Sequence, residues 1–276
     1  MSLFVQTNVS SLTAQNNFAS TELQLNKTMA QLSSGYKINS AADDPAGLGI
    51  ASRLSAQVAG YTAATQNANN AISMVQTADG GAEQISNILT TLNQLAVEGS
   101  NATMSSSDSA NLNTEFQQEL SEITRIANVT SFNGTNVLAA TAASKSFQVG
   151  IGTTANDSIS VTFGGCDVTG LGLSGAAVDT AADSQTAITS ITAAIQTLST
   201  NRAGFGAAMD RLADTVTNLQ SIQTNTSAAL GQIQDTDVAA ATAQLAQQQV
   251  LAQAGESVLA QANQQPQLAV NLIQGH

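Results

Sequence analysis

Residues able to do chemistry are few in this chain of 276 residues. The only histidine is His276 and the only cysteine is Cys166, which removes histidine-based triads, an internal disulfide and cysteine-based zinc sites. One stretch stands out: INSAADDPAGLGIASRL, residues 38–54, brings two adjacent carboxylates, a proline and a G-x-G pair together just ahead of an apolar helical pattern. Neighbouring loop carboxylates alone lack the further oxygen ligands a hard cation wants. AGLGI also lacks the third glycine, the preceding strand and the Lys-Ser/Thr pair of a phosphate loop. A joint explains the same residues better. Asp44 is placed to cap a helix and Pro45 to open its first turn, with the carboxylate at the positive end of the helix dipole. Gly47 and Gly49 would let backbones approach closely. Cys166 has only Asp167 as a charged neighbour, which raises a thiol pKa, so it reads as a small strand-end residue. We expect no enzymatic activity, no cofactor and no bound metal.

A joint needs elements to connect, and the composition says which. Aromatics make up 3% of the residues and tryptophan is absent, while alanine, serine, threonine, asparagine, glutamine and leucine dominate, which suits long, closely packed helices. The only prolines are Pro45 and Pro266, so helices between them can run long. From 188 to 233 the residues Ile188, Ile191, Ile195, Leu198, Arg202, Phe205, Met209, Leu212, Val216, Leu219, Gln223, Thr226, Leu230 and Ile233 recur at alternating steps of three and four, a heptad seam roughly 70 Å long. Leu54, Val58, Tyr61, Thr65, Ala68, Ile72 and Val75 repeat that spacing, and Ile85, Ile88, Leu92 and Leu95 continue it beyond Gly80-Gly81. A third stretch, Leu112, Phe116, Leu120 and Ile123, follows a serine-rich break in which Asp108 is the expected N-cap.

The remaining texture is short-range. Phe147, Val149 and Ile151, then Ile159, Val161 and Phe163, alternate on either side of TTAND, which predicts a β-hairpin within about 141–175. Asn133-Gly134 predicts a separate tight turn. The two ends carry apolar stripes with little charge: Val5, Val9, Leu12, Phe18, Leu25, Met29 and Leu32 at the start, and Val238, Leu245, Ala252, Leu259, Leu268 and Leu272 at the finish. Stripes this long make a poor monomer surface, so we expect both ends to bury against copies of the same chain and to order only there. The fold class expected is mainly α: long antiparallel, coiled-coil-like helices forming a rod, with a small β-hairpin region. Residues 1–42 with 235–276 would form the inner, polymerising domain, and 43–234 the outer helical rod.

The charge balance limits partners. A net charge of −12 with seven scattered Lys and Arg leaves no basic patch for nucleic acid or an anionic membrane. The first positive charge is Lys27, and no apolar run reaches the length of a membrane span. No secretory signal is therefore expected at the start of the chain, which points to the cytosol or to another route of export.

Several longer motifs carry a resemblance. QLSSGYKINSAADDPAGLGIASRLSAQVAG, NANNAISMVQTADGG, LNQLAVEG, EITRIANVTSFNGTNVL and AGESVLAQANQQPQLAVNLI together resemble the two terminal regions of the bacterial flagellins, in order, over roughly residues 1–140 and 185–276. The resemblance implies a secreted subunit that self-assembles as a helical homopolymer, the extracellular filament of the flagellum. It further implies type III export, a flagellin chaperone, and contacts with filament cap and hook-junction proteins. The separation of the matched blocks leaves no room for large outer β domains. A hook–filament junction protein of the same superfamily, or a secreted coiled-coil adhesin, are the alternatives. Finally, Leu95 and Glu115 match the flagellin positions that contact an animal Toll-like receptor, whereas Thr91 and Asn93 stand where that pattern has basic residues.

Overall fold

The computed structural model describes residues 7–139 and 143–274, with side chains described to residue 265. Five helices dominate: α1 (Val9–Ser34), α2 (Pro45–Gly99), α3 (Ser106–Val129), α4 (Ala181–Gln234) and α5 (Val238–Gln274). Strands β1 (Ser131–Phe132) and β2 (Thr135–Asn136) form one two-stranded antiparallel sheet. A second comprises β3 (Ala143–Gln148) and β4 (Ser158–Phe163). The fold is mainly α with small β elements. The chain divides into two compact units, residues 1–56 with 226–276 and residues 57–225. These boundaries fall inside α2 and α4, so the unit holding both ends is larger than the expected 1–42 with 235–276. The first turns of α2 belong with the joint because Gly47 packs on Ile38, and Ala51 is buried.

In the unit spanning 57–225, α2 and α4 run antiparallel. Gln223 Nε2 donates to Thr62 Oγ1 at 3.0 Å, Arg202 Nε donates to Asp79 Oδ1 at 2.7 Å, and a Cβ at Gly99 would meet Ser184 Oγ at 2.7 Å. The buried face of α2 is Ala64, Ala68, Ala71, Val75, Ala78, Ala82, Ile85, Leu89, Leu92 and Ala96, a regular three-four repeat. Alanine at six of these ten positions lets helix axes approach closely. Facing residues of α4 include Ile191, Ala194, Leu198, Phe205, Ala208, Leu212 and Leu219. Leu54, Val58, Tyr61 and Ile72, and on α4 Ile195 and Val216, are only half-buried, whereas Val75 is fully buried. The seam on α2 therefore runs through alanines that a search for large apolar residues passes over.

Three smaller features close this core. Helix α3 contributes Leu112, Phe116, Leu120, Ile123 and Ala127. Its N-cap is Ser105, not Asp108: the serine Oγ accepts from the Asp108 amide at 3.2 Å, and Asp108 Oδ2 accepts back from the Ser105 amide at 3.3 Å, a reciprocal capping box. The predicted tight turn is present, with Asn133 at φ 48° and Gly134 at φ 75° joining β1 to β2. The segment around it packs on α2, where a Cβ at Gly81 would meet Leu138 at 2.7 Å and Thr130 at 2.8 Å. Strand β4 turns Ile159, Val161 and Phe163 into the core, and Phe163 meets Phe205 with ring centroids 5.7 Å apart. Val149 and Ile151 lie past the end of β3, in the connecting loop, so the alternation extends further than the strand.

In the other unit, α1 and α5 pair antiparallel, from Asn8 beside Ala262 to Phe18 beside Gly255.

Candidate functional site

The joint is built by two adjacent carboxylates, Asp44 reaching forward to the first turn of α2 and Asp43 back to the preceding connector. Asp44 Oδ1 accepts from the Ala46 and Gly47 amides at 3.1 and 2.9 Å, occupying donors that the first turn of α2 leaves free. Asp43 Oδ2 accepts from the Asn39 amide, the Ser40 amide and Ser40 Oγ at 3.0–3.2 Å, and Asp43 Oδ1 meets Lys27 Nζ at 2.8 Å. Lys27, together with the backbone donors, pulls the Asp43 carboxyl down to about 2. Both carboxylates are thus occupied by protein donors. Among the described residues no group of three or more His, Cys, Asp and Glu could hold a metal ion.

The two glycines differ. A Cβ at Gly47 would come within 2.7 Å of Ile38 and also strike Asp44, so close approach explains that glycine. At Gly49 an added Cβ meets nothing within 4 Å, which corrects the expectation of close packing there. The preceding helix also stops earlier than the opening motif suggests. Helix α1 ends at Ser34, and Gly35 at φ 76° donates its amide to Gln31 O at 2.9 Å. A glycine after an apolar stripe is the signal that marks this end in the sequence. The connector after α1 then pairs with the one after α4: the Lys37 amide donates to Gln234 O at 2.7 Å and the Thr236 amide to Gly35 O at 2.9 Å. No local pattern announces a pairing between segments so far apart.

The stripes of the terminal helices separate into two faces. Ser11, Ala14, Phe18, Thr21, Leu25 and Thr28 on α1 are buried or half-buried, as are Ala241, Leu245, Gln248, Ala252, Gly255, Leu259 and Ala262 on α5. Each set follows the three-four repeat of a helix seam. Other apolar residues point away: Val9, Leu12, Leu23 and Met29 on α1, and Val238, Val250, Leu251 and Val258 on α5, are all exposed. Phe18 and Leu25 thus belong to one face, and Val9, Leu12 and Met29 to the other. Val5 lies outside the described residues. Leu268 and Leu272 fall on the helical backbone of α5, with their side chains outside the described set.

Among the described residues, ten of the thirteen exposed large hydrophobics belong to the unit of 1–56 and 226–276. That unit carries six acidic against three basic residues, while 57–225 carries thirteen against four. Among the described residues no helix is long and apolar enough to cross a membrane.

The bacterial flagellin N-terminal helical region matches residues 5–143 and the bacterial flagellin C-terminal helical region matches 188–273. The chain belongs to the bacterial flagellin family. A flagellin of Halalkalibacterium halodurans is 35% identical over 273 residues, 98% of this chain and 100% of that one. A flagellin of Listeria innocua is 33% identical over 283 residues, 98% of this chain and 99% of the other. The crystal structure of Bacillus cereus flagellin aligns at a TM-score of 0.49 with 32% identity, over 60% of this chain and 94% of that one. As a flagellin, the chain is a structural subunit that polymerises into the filament of the bacterial flagellum and serves motility.

Of the positions expected from the resemblance to correspond to receptor contacts, Thr91 and Asn93 are half-buried and Glu115 is exposed. Leu95 is 8% exposed and packs in the core of the subunit, so it already has an intrachain role. Cys166 is fully buried, and burial pushes its thiol up to about 11, in keeping with an inert packing residue.

Proposed function

We propose that the α1–α5 pair supplies the surface through which copies of this flagellin polymerise, and that the acidic unit of 57–225 remains in contact with solvent. The observation that carries this reading is the outward set of Val9, Leu12, Leu23, Met29, Val250, Leu251 and Val258, which is exposed among the described residues. Large apolar residues left exposed and gathered on one helix pair mark an interaction site. The charge distribution supports it, because the unit holding the stripe bears only a quarter of the net charge and stacks with the least repulsion. Asp44, Pro45 and Gly47 act as the joint that starts α2 next to the polymerising pair.

The same reading includes secretion through the flagellar type III apparatus, with a flagellin chaperone covering the apolar stripe before assembly and cap and hook-junction proteins receiving the chain. Weakly charged, sparsely packed terminal helices suit passage in an unfolded state and folding on arrival. The test is Leu23→Asp, at a residue 71% exposed in the isolated chain. The variant should show the parent's circular dichroism and fail to form filaments under electron microscopy. Normal filaments from it would overturn the assignment of this surface.

A further inference from the structure

Heptad repeats on two helices leave their register undetermined. Sliding one helix past the other by seven residues, about 10 Å at 1.5 Å per residue, returns every seam position to the same face. The seams of α1 and α5 both follow this repeat, so their apolar pattern alone permits several alignments. Three contacts are peculiar to the one observed. Asn8 Nδ2 donates to the carbonyl of Ala262 at 2.8 Å. Ser11 Oγ donates to Asn263 Oδ1 at 2.6 Å. Phe18 sits against Gly255, where an added Cβ would lie 3.3 Å from Phe18 Cδ2.

We infer that Asn8, Ser11–Asn263 and Phe18–Gly255 form a register lock, which selects one antiparallel alignment of α1 on α5 from those the heptads allow. A shift of seven residues one way brings Phe18 onto Gln248, and the other way onto Ala262, and neither offers the notch of Gly255. The same shift separates Ser11 from Asn263 and sets it beside Glu256 in one direction. Polar seam positions act here as they do in coiled coils, where they weaken the pair and specify its alignment. Gln248 fits that description, since its Oε1 is buried without a hydrogen-bond partner in the described structure.

The inference rests on the α1–α5 pair proposed above as the polymerising element, and it adds what fixes that pair's geometry. A filament repeats each subunit contact many times, so every copy must present the outward stripe at the same height. Alignment errors of one heptad would displace Val250, Leu251 and Val258 relative to Leu12 and Leu23 by about 10 Å.

Disulfide trapping in filaments of the full chain, with Cys166→Ala as the background, tests this. Thr21 and Ala252 lie one turn further along both helices from Phe18 and Gly255, so Thr21→Cys with Ala252→Cys reports the observed register. Thr21→Cys with Leu259→Cys reports the register shifted by one heptad. We expect the first pair to cross-link about tenfold or more over the second, because three specific contacts of ordinary strength together exceed one decade. Adding Asn8→Ala with Phe18→Ala should bring the two yields to within a few-fold. Gly255→Ala, a milder change that fills the notch, should move them part of the way. Equal yields in the background chain would overturn the lock, as would no cross-link in either pair or an unchanged ratio in both loosened variants. Failure of the polymerising surface reads out separately, as filaments persisting in Leu23→Asp.

Discussion

Replacing Leu212 with aspartate tests the long-helix core at a residue 0% exposed, on the α4 face that packs in the common apolar cluster. Losing the packing of a buried leucine costs about 2–5 kcal/mol. Aspartate adds a second cost. Its carboxyl ionises near 3.9 in the unfolded chain and must stay protonated to remain in the core, which costs about 1.4 kcal/mol per pH unit, or about 4 kcal/mol at pH 7. The folded pKa of the introduced group lies above its unfolded value, so the folded state binds the additional proton and stability falls as pH rises above about 4. Asparagine has the same shape and does not titrate. Leu212→Asn should therefore lose about 2–5 kcal/mol with no further pH dependence of its own. Leu212→Asp should lose up to about 4 kcal/mol more than that at pH 7, and the gap should close towards about pH 4. Urea unfolding of the parent and both variants across this range, followed by circular dichroism, measures the difference. Equal stability of the two variants at every pH, or parental stability of Leu212→Asp at neutral pH, would refute the placement of Leu212.

Other consequences are independent of that core. Lys27 beside Asp43 lowers the carboxyl from 3.8 to about 2, so its contribution to the joint is present above about 3.8 and is lost as pH falls towards about 2. The Asn39 and Ser40 amides should lose hydrogen-exchange protection in that window, and Lys27→Met should move the loss to higher pH; an unchanged profile in the variant would remove Lys27 from the account. Limited proteolysis of monomers should cleave within residues up to about 42 and beyond about 235, because two helices paired without a further layer are marginal alone, and filaments should protect both ends. Resistance of both ends in the monomer would contradict this. Receptor signalling by purified monomer should be weak and should rise in Thr91→Arg with Asn93→Arg, since threonine and asparagine lack the guanidinium fork and a charged anchor is worth about 2 kcal/mol or more. Strong signalling by the unmodified chain would contradict it.

Which elements could be read from sequence follows from how local their causes are. Asp44-Pro45 marks the start of α2 because capping and the fixed proline φ act within one turn. Asn133-Gly134 marks its turn for the same reason, since both residues tolerate positive φ. The α4 seam is legible through Ile191, Leu198, Phe205 and Leu212, which are large enough to reveal the period. The α2 seam is less so, because Ala64, Ala71, Ala78 and Ala82 supply close packing without standing out as apolar. The terminal stripes read as one surface, although Phe18 and Leu25 turn inward while Val9, Leu12 and Met29 turn outward; a linear pattern does not separate adjacent faces of one helix when both are apolar. Lys27–Asp43, Arg202–Asp79 and the bridge between Tyr36 and Asp235 join residues far apart in sequence or across a connector, so no local spacing encodes them.

The most direct test of the account is electron microscopy of the purified chain after seeding with short filament fragments, with a chain lacking residues 1–42 and 235–276 alongside. Long filaments are expected from the full chain and folded, unpolymerised subunits from the truncated one. Filaments grown from the truncated chain, or none from the full chain, would contradict it.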